Sequence, residues 1–306
     1  MLVIAVVVLA AALHASWNAI VKAIDDRLTV MAVLGLATTV VCLPVALLAT
    51  PPPGDALPFL MGSVVVHGIY NLLLVALYGD TDFNQAYPLA RGISPPTVAL
   101  FAVLVVGEAL SVWQIGGLVI LSAGLLVVAM PGSDERGPSR AGRRGTPRSR
   151  GTPRSRRTVC LAALTGLSIA TYTVLDGLGV RRCGTPFGYG GWLFVAEGII
   201  VPVVWTCLRL RAGAGASSYA RRLRSPRVPR DLIVRAAVAG VISVLAYGLV
   251  LWAQTRGELA IVAGLRETSV VFGAAIGATV FGERLGSRRI AASVLIAAGA
   301  VALSIT

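Results

Sequence analysis

The chain has 306 residues, of which 56% are hydrophobic and only 13% charged, and its mean hydropathy is +0.80. A soluble globule carries about 25% charged residues, so an ordinary water-soluble domain is excluded. The formal net charge of +13 is crowded into loops between apolar runs, where Lys and Arg meet anionic headgroups, so the expected partner is a lipid bilayer and not nucleic acid.

A helix needs about 20 apolar residues to cross a bilayer. Such runs occur at 2–23, 28–49, 57–78, 85–106, 113–130, 158–178, 187–208, 232–253, 260–281 and 288–305. With no water in hydrocarbon to satisfy the backbone, each is expected to be a helix. The first span lacks the basic n-region of a signal peptide and carries His14, Asn18 and Lys22 at four-residue intervals. The second has little polarity. The third carries His67, Tyr70 and Asn71, and the fourth, "AYPLARGIS" (86–94), carries Tyr87, Arg91 and Ser94. Gly107-Glu108 leads into the fifth. Residues 131–157, "PGSDERGPSRAGRRGTPRSRGTPRSRR", contain RGTPRS twice in tandem; this composition cannot bury a core and predicts a disordered linker.

Beyond the linker, the sixth span carries Thr165, Ser168, Tyr172 and Asp176, and the seventh has Glu197 alone near its middle. The eighth carries Ser243, Tyr247 and Gln254. The ninth, "IVAGLRETS" (261–269), carries Arg266, Glu267 and Ser269. The tenth is almost wholly apolar. Cys42, Cys160, Cys183 and Cys207 have no metal or redox spacing and are expected to be packing residues. No metal site, cofactor site or catalytic residue is predicted, and no nucleotide-binding motif indicates ATP use.

A shift of 175 residues pairs Arg91 with Arg266, Ser94 with Ser269, and Gly107-Glu108 with Gly282-Glu283. Residues 1–130 and 158–306 therefore read as repeats of five spans each. An odd number of spans turns the second repeat upside down, the plan of many secondary transporters. The polar stripes fall on spans 1, 3 and 4 and on their counterparts 6, 8 and 9. A charge facing lipid at mid-span costs about 2.5–3.5 kcal/mol even on the mild insertion scale, so the six striped helices are expected to face one another around a wet cavity. Inversion then places Arg91 and Arg266 toward opposite mouths of that cavity. Asp176, Glu197 and Glu267 are their candidate partners, with coupling or gating roles. A fixed structural ion pair, or snorkelling to the headgroups, is the plain alternative for each arginine.

At the level of several motifs the chain resembles the EamA family of the drug/metabolite transporter superfamily. The resemblance rests on "LHASWNAIVKA" (13–23), "AYPLARGISP" (86–95), "GEAL" (107–110) and "GGLVILSAGLLVV" (116–128). In the second half it rests on "YTVLDGLGVR" (172–181), "LRETSVVFGAAIGATVFGERL" (265–285) and "AAGAVAL" (297–303). It implies ten helices in two inverted five-helix repeats around a substrate cavity, and transport, often efflux, of amino acids, other small metabolites or drugs.

The expected function is thus a secondary transporter, an exporter by resemblance, of small polar, anionic or zwitterionic metabolites, working by alternating access with the proton as a candidate coupling ion. Its expected substrate-binding residues are His14, Asn18, His67, Asn71, Tyr87, Arg91, Ser94, Tyr172, Asp176, Tyr247, Arg266 and Ser269. A lipid flippase of the same superfamily is the alternative, and a lateral opening between spans 4 and 9 would favour it. "DGLGVRR" (176–182) superficially resembles the start of a CDP-alcohol phosphotransferase motif, but Phe194 stands where the next metal-binding aspartate belongs. Loops after odd-numbered spans hold 22 Lys and Arg against 3 after even-numbered spans. That bias puts the linker in the cytoplasm of a plasma or inner membrane and both termini outside, opposite to the orientation usual in the family. Substrate identity and oligomeric state, a monomer included, stay open.

Overall fold

The computed structural model describes residues 1–24, 27–80, 83–130, 156–211, 228–282 and 286–305, leaving aside the side chains of 27, 74, 75, 77–80, 83–89, 156 and 208–211. Every regular element among them is helical: α1 (Leu2–Lys22), α2 (Arg27–Leu48), α3 (Leu57–Asp80), α4 (Phe83–Phe101, continued by a π turn, Ala102–Val106), α5 (Val112–Ala129), α6 (Arg156–Cys183), α7 (Pro186–Arg211), α8 (Arg230–Gln254), α9 (Leu259–Arg266), α10 (Ser269–Val280) and α11 (Ser287–Leu303). The predicted linker lies outside the described residues except for 156–157, which open α6.

Two departures from the sequence reading matter for the site. The predicted sixth span ends at 178, yet α6 runs on to Cys183 and so delivers Arg181 to a neighbour. The predicted ninth span, 260–281, is two helices parted at Glu267-Thr268. "RETS" places four polar residues in a row, and one helical turn cannot keep all four on the protein side of a membrane span.

Seven stretches among the described residues are long and apolar enough to cross a bilayer, with α9 and α10 together forming one of them. Leu57–Leu73 and Ala90–Val106 are shorter apolar helices. Exposure runs opposite to that of a soluble protein: Leu104 is 71% and Val40 69% exposed, whereas Arg91 is 2% and Asp176 0%. Apolar side chains outside and charges inside suit a hydrocarbon surround. The chain is a multi-pass membrane protein.

Helix ends sort onto two faces. The end of α4, the end of α6 and the α8–α9 turn meet at Glu108, and Val3 at the start of α1 lies against Gly257 in the same turn. On the other face, Lys22 at the end of α1 places its ammonium 5.5 Å from the centre of the Phe281 ring, beyond α10. The most extensive pairings between the chain's two halves are α2 with α7, α5 with α11, α1 with α8, and α3 with α6.

Two of these pairings are backbone-close. A Cβ on Gly35 would stand 2.6 Å from the Gly198 carbonyl oxygen, and one on Gly299 would stand 2.7 Å from that of Gly117. Small residues let membrane helices approach this closely. Gly198→Ala and Gly299→Ala are therefore expected to destabilise by about 1–3 kcal/mol through overpacking. Gly116→Ala and Gly273→Ala meet nothing within 4 Å and should be neutral or stabilising by up to about 1 kcal/mol. Melting temperatures in detergent check this, and equal behaviour of the two sets would refute it.

Candidate functional site

The site begins at the break between α9 and α10. Arg91 reaches across from α4, pairs through Nε with Glu267 at 2.8 Å, and donates from its terminal nitrogen to the Ser269 hydroxyl at 2.7 Å. Glu267 is 1% exposed, and its carboxylate also feels the charge of Arg266 beside it. His14 on α1 faces both guanidinium charges, and its Nδ1 accepts from Trp17 at 3.3 Å. The sequence placed the two arginines toward opposite mouths. The structure instead brings both to Glu267, at the break between α9 and α10.

Arg266 leads onward to a second cluster. Its guanidinium lies 5.8 Å from the centre of the Tyr247 ring, it bonds the Tyr172 side chain, and its Nε has no hydrogen-bond partner among the described residues. The Tyr247 hydroxyl donates to Asp176 Oδ2, and Tyr189 donates to Oδ1 at 3.0 Å. Ser63 and His67 on α3 also face this carboxylate. His67 stacks on Tyr172, with ring centres 3.8 Å apart, and its Nδ1 lies 3.0 Å from the Ser63 carbonyl.

The other expected residues divide. Asn71 is buried and lines a small cavity of about 50 Å³ together with Gly35, Thr38, Phe194, Glu197, Gly198 and Ser243. Glu197 thus belongs to this cavity between α2, α3, α7 and α8, beside the arginine cluster and not within it. Phe194 is the bridge, because its ring also packs edge-on against Tyr247. Ser94 is buried. Asn18 donates to the His14 carbonyl of its own helix at 2.8 Å. The Tyr87 side chain lies outside the described residues.

Sequence reading missed Tyr189 and Ser63 as partners of Asp176. A signal existed for Tyr189: only Gly184-Thr185 separate α6 from α7, so the start of α7 must pack back along the end of α6, and the long tyrosine side chain reaches on past Val180 and Gly179 to Asp176. It also read Glu108 only as part of a repeated motif. Gly107 and Gly282, the equivalent glycines, both have positive φ (79° and 64°), which glycine alone adopts freely. The turn at Gly107 aims Glu108 at α9. There it accepts from the N–H groups of Leu259 and Ala260 at 2.7 and 3.2 Å, and Arg181 lies 3.4 Å away.

Comparison with known proteins fits this architecture. Residues 156–305 match the profile of the EamA-like transporter family. A protein of known crystal structure superposes with a TM-score of 0.70 over 99% of this chain and 96% of its own, at 15% sequence identity, a likeness of fold alone. No protein of curated function matches the sequence.

Proposed function

Since residues 156–305 belong to the EamA-like transporter family, we propose that the whole chain is a ten-span carrier built from two inverted repeats, 1–130 and 158–306, joined by the linker 131–157. The pairings support a two-fold relation: α2 meets its counterpart α7, α5 meets α11, and α1 with α8 mirrors α3 with α6. Direction supports inversion, because α4 ends on the Glu108 face where α9 begins.

The carrier moves small anionic or zwitterionic metabolites, amino acids and related compounds among them, outward by alternating access. One observation carries this reading: two buried guanidiniums, Arg91 and Arg266, share the single carboxylate of Glu267. An uncompensated buried charge is strongly unfavourable, and a substrate carboxylate or phosphonate on Arg266 would balance it. Asp176 lies across Tyr247 from Arg266 and is the candidate for an ammonium group or a coupling proton. By the charge bias, the Lys22 face is cytoplasmic. The lateral opening between the fourth and ninth spans that a lipid path needs is spanned by Arg91–Glu267 and by Glu108 on α9, which speaks against a flippase.

A thermal-shift screen of purified protein across amino acids, phosphonates and cationic drugs tests the substrate class. Anions or zwitterions should raise the melting temperature, and Arg266→Ala should lower the affinity of any hit about 10- to 100-fold, the range for a lost charge-assisted contact. Stabilisation by permanent cations alone, or wild-type transport by both Arg91→Ala and Arg266→Ala, would overturn the reading.

A further inference from the structure

We propose that Glu108 is a positioning residue for the site: it holds α9, and through it Arg266 and Glu267, in a two-ended tie between α4 and α9 that closes the Glu108 face and parts when that face opens. The proposal rests on the transporter reading, since only a carrier needs the face to open.

The geometry forms a closed loop. α9 has eight residues, about 12 Å of helix. The residue at its own N-cap, Glu258, makes no side-chain cap bond. Glu108, from the opposite half, does that work with both carboxylate oxygens, at the helix end where a negative charge is favoured. At the other end of α9, Glu267 pairs with Arg91, which lies on the same helix that leads to Glu108. α4 and α9 are therefore joined at both ends, and a short rigid helix transmits displacement from one joint to the other.

Arg181 draws further elements in. It faces Glu108 and donates to the carbonyls of Gln254 at 2.8 Å and Gly257 at 2.7 Å, fastening the end of α6 to the turn that feeds α9. Gln114 at the start of α5 adds a bond to Glu258 at 3.3 Å. This junction consists of polar bonds at the membrane face, with Arg181 31% exposed, and water can replace each bond at small net cost. The crossings at Gly35–Gly198 and Gly117–Gly299 instead press backbone against backbone. Of the contacts between the two halves, the Glu108 junction is the one built to separate.

The test reads accessibility and needs no substrate. Thr173 on α6 is 1% exposed, and its carbonyl accepts from Gln254 at 3.2 Å, so it lies between the junction and Tyr172. Thr173→Cys is introduced with Cys42, Cys160, Cys183 and Cys207 changed to serine. A membrane-impermeant maleimide is then applied to either side of sealed vesicles. Adding Glu108→Ala should raise labelling from the Glu108 face about tenfold or more, for the loss of charge-assisted bonds, with no rise from the other face. Arg181→Ala should act in the same direction more weakly. Glu108→Gln, which keeps one of the two acceptor oxygens and loses the charge, should fall between wild type and alanine. Unchanged labelling in Glu108→Ala, or an equal rise from both faces, overturns the proposal. If Glu108→Ala does not reach the membrane, Arg181→Ala decides on the same criteria. A rise confined to one face with no ligand found in the thermal-shift screen would uphold the tie and count against the substrate reading alone.

Discussion

Glu267→Ala should destabilise the protein by about 3–5 kcal/mol, the cost of removing one partner of a buried ion pair. The reason is the charge balance at the break between α9 and α10. In the native cluster, Arg91, Arg266 and Glu267 sum to one positive charge. Glu267→Ala raises the excess to two, with Arg91 and Arg266 only 2% and 4% exposed. Arg91→Ala instead leaves Glu267 with Arg266, a neutral pair, and should be the milder change although it removes a larger side chain. Arg91→Met with Glu267→Leu returns the excess to one and should recover most of the stability while abolishing transport. Melting temperatures in detergent rank the three. Arg91→Ala proving worse than Glu267→Ala would mean that another group neutralises the cluster, and the argument for an anionic substrate would lose its basis.

Asp176→Asn should abolish gradient-driven transport while leaving the protein folded. Asparagine keeps one carbonyl oxygen for Tyr247 or Tyr189 and loses the capacity to take up a proton. With Asp176→Ala, by contrast, two buried phenol hydroxyls lose their acceptor, at about 1–3 kcal/mol each. Exchange of substrate across a membrane with no gradient requires no net proton movement, so Asp176→Asn should retain exchange in proteoliposomes and fail to accumulate substrate under an imposed pH gradient. Accumulation at the wild-type level would remove Asp176 from the coupling role. Loss of exchange together with accumulation would place it in substrate binding.

Much of this site could be read from the sequence because a membrane punishes misplaced polarity. Arg91, Asp176 and Arg266 interrupt apolar runs, and each turned out to be buried among protein groups. Gly107 and Gly282 could be paired by spacing alone, and both have a left-handed backbone. Periodicity reports which side of a helix a residue occupies, but it does not report how far a long side chain reaches. Arg91 therefore pairs with Glu267, against which the 175-residue shift sets Gly92, something the spacing could not foretell. Glu108 eluded the reading for a related reason. Its partners are main-chain N–H groups of a helix about 150 residues away, and backbone donors leave no mark in the amino-acid code.

The two glycine crossings bear on how such a molecule can move. Where Gly35 meets Gly198, and Gly117 meets Gly299, neither backbone can advance toward the other, so these four helices act as a pair of axles. Compression at these points is costly. On the carrier reading the stroke then falls to the helices with hydrophilic sides, and a side chain added at Gly117 or Gly299, away from the Asn71–Glu197 cavity that Gly35 and Gly198 help to line, should stiffen the whole cycle from a distance.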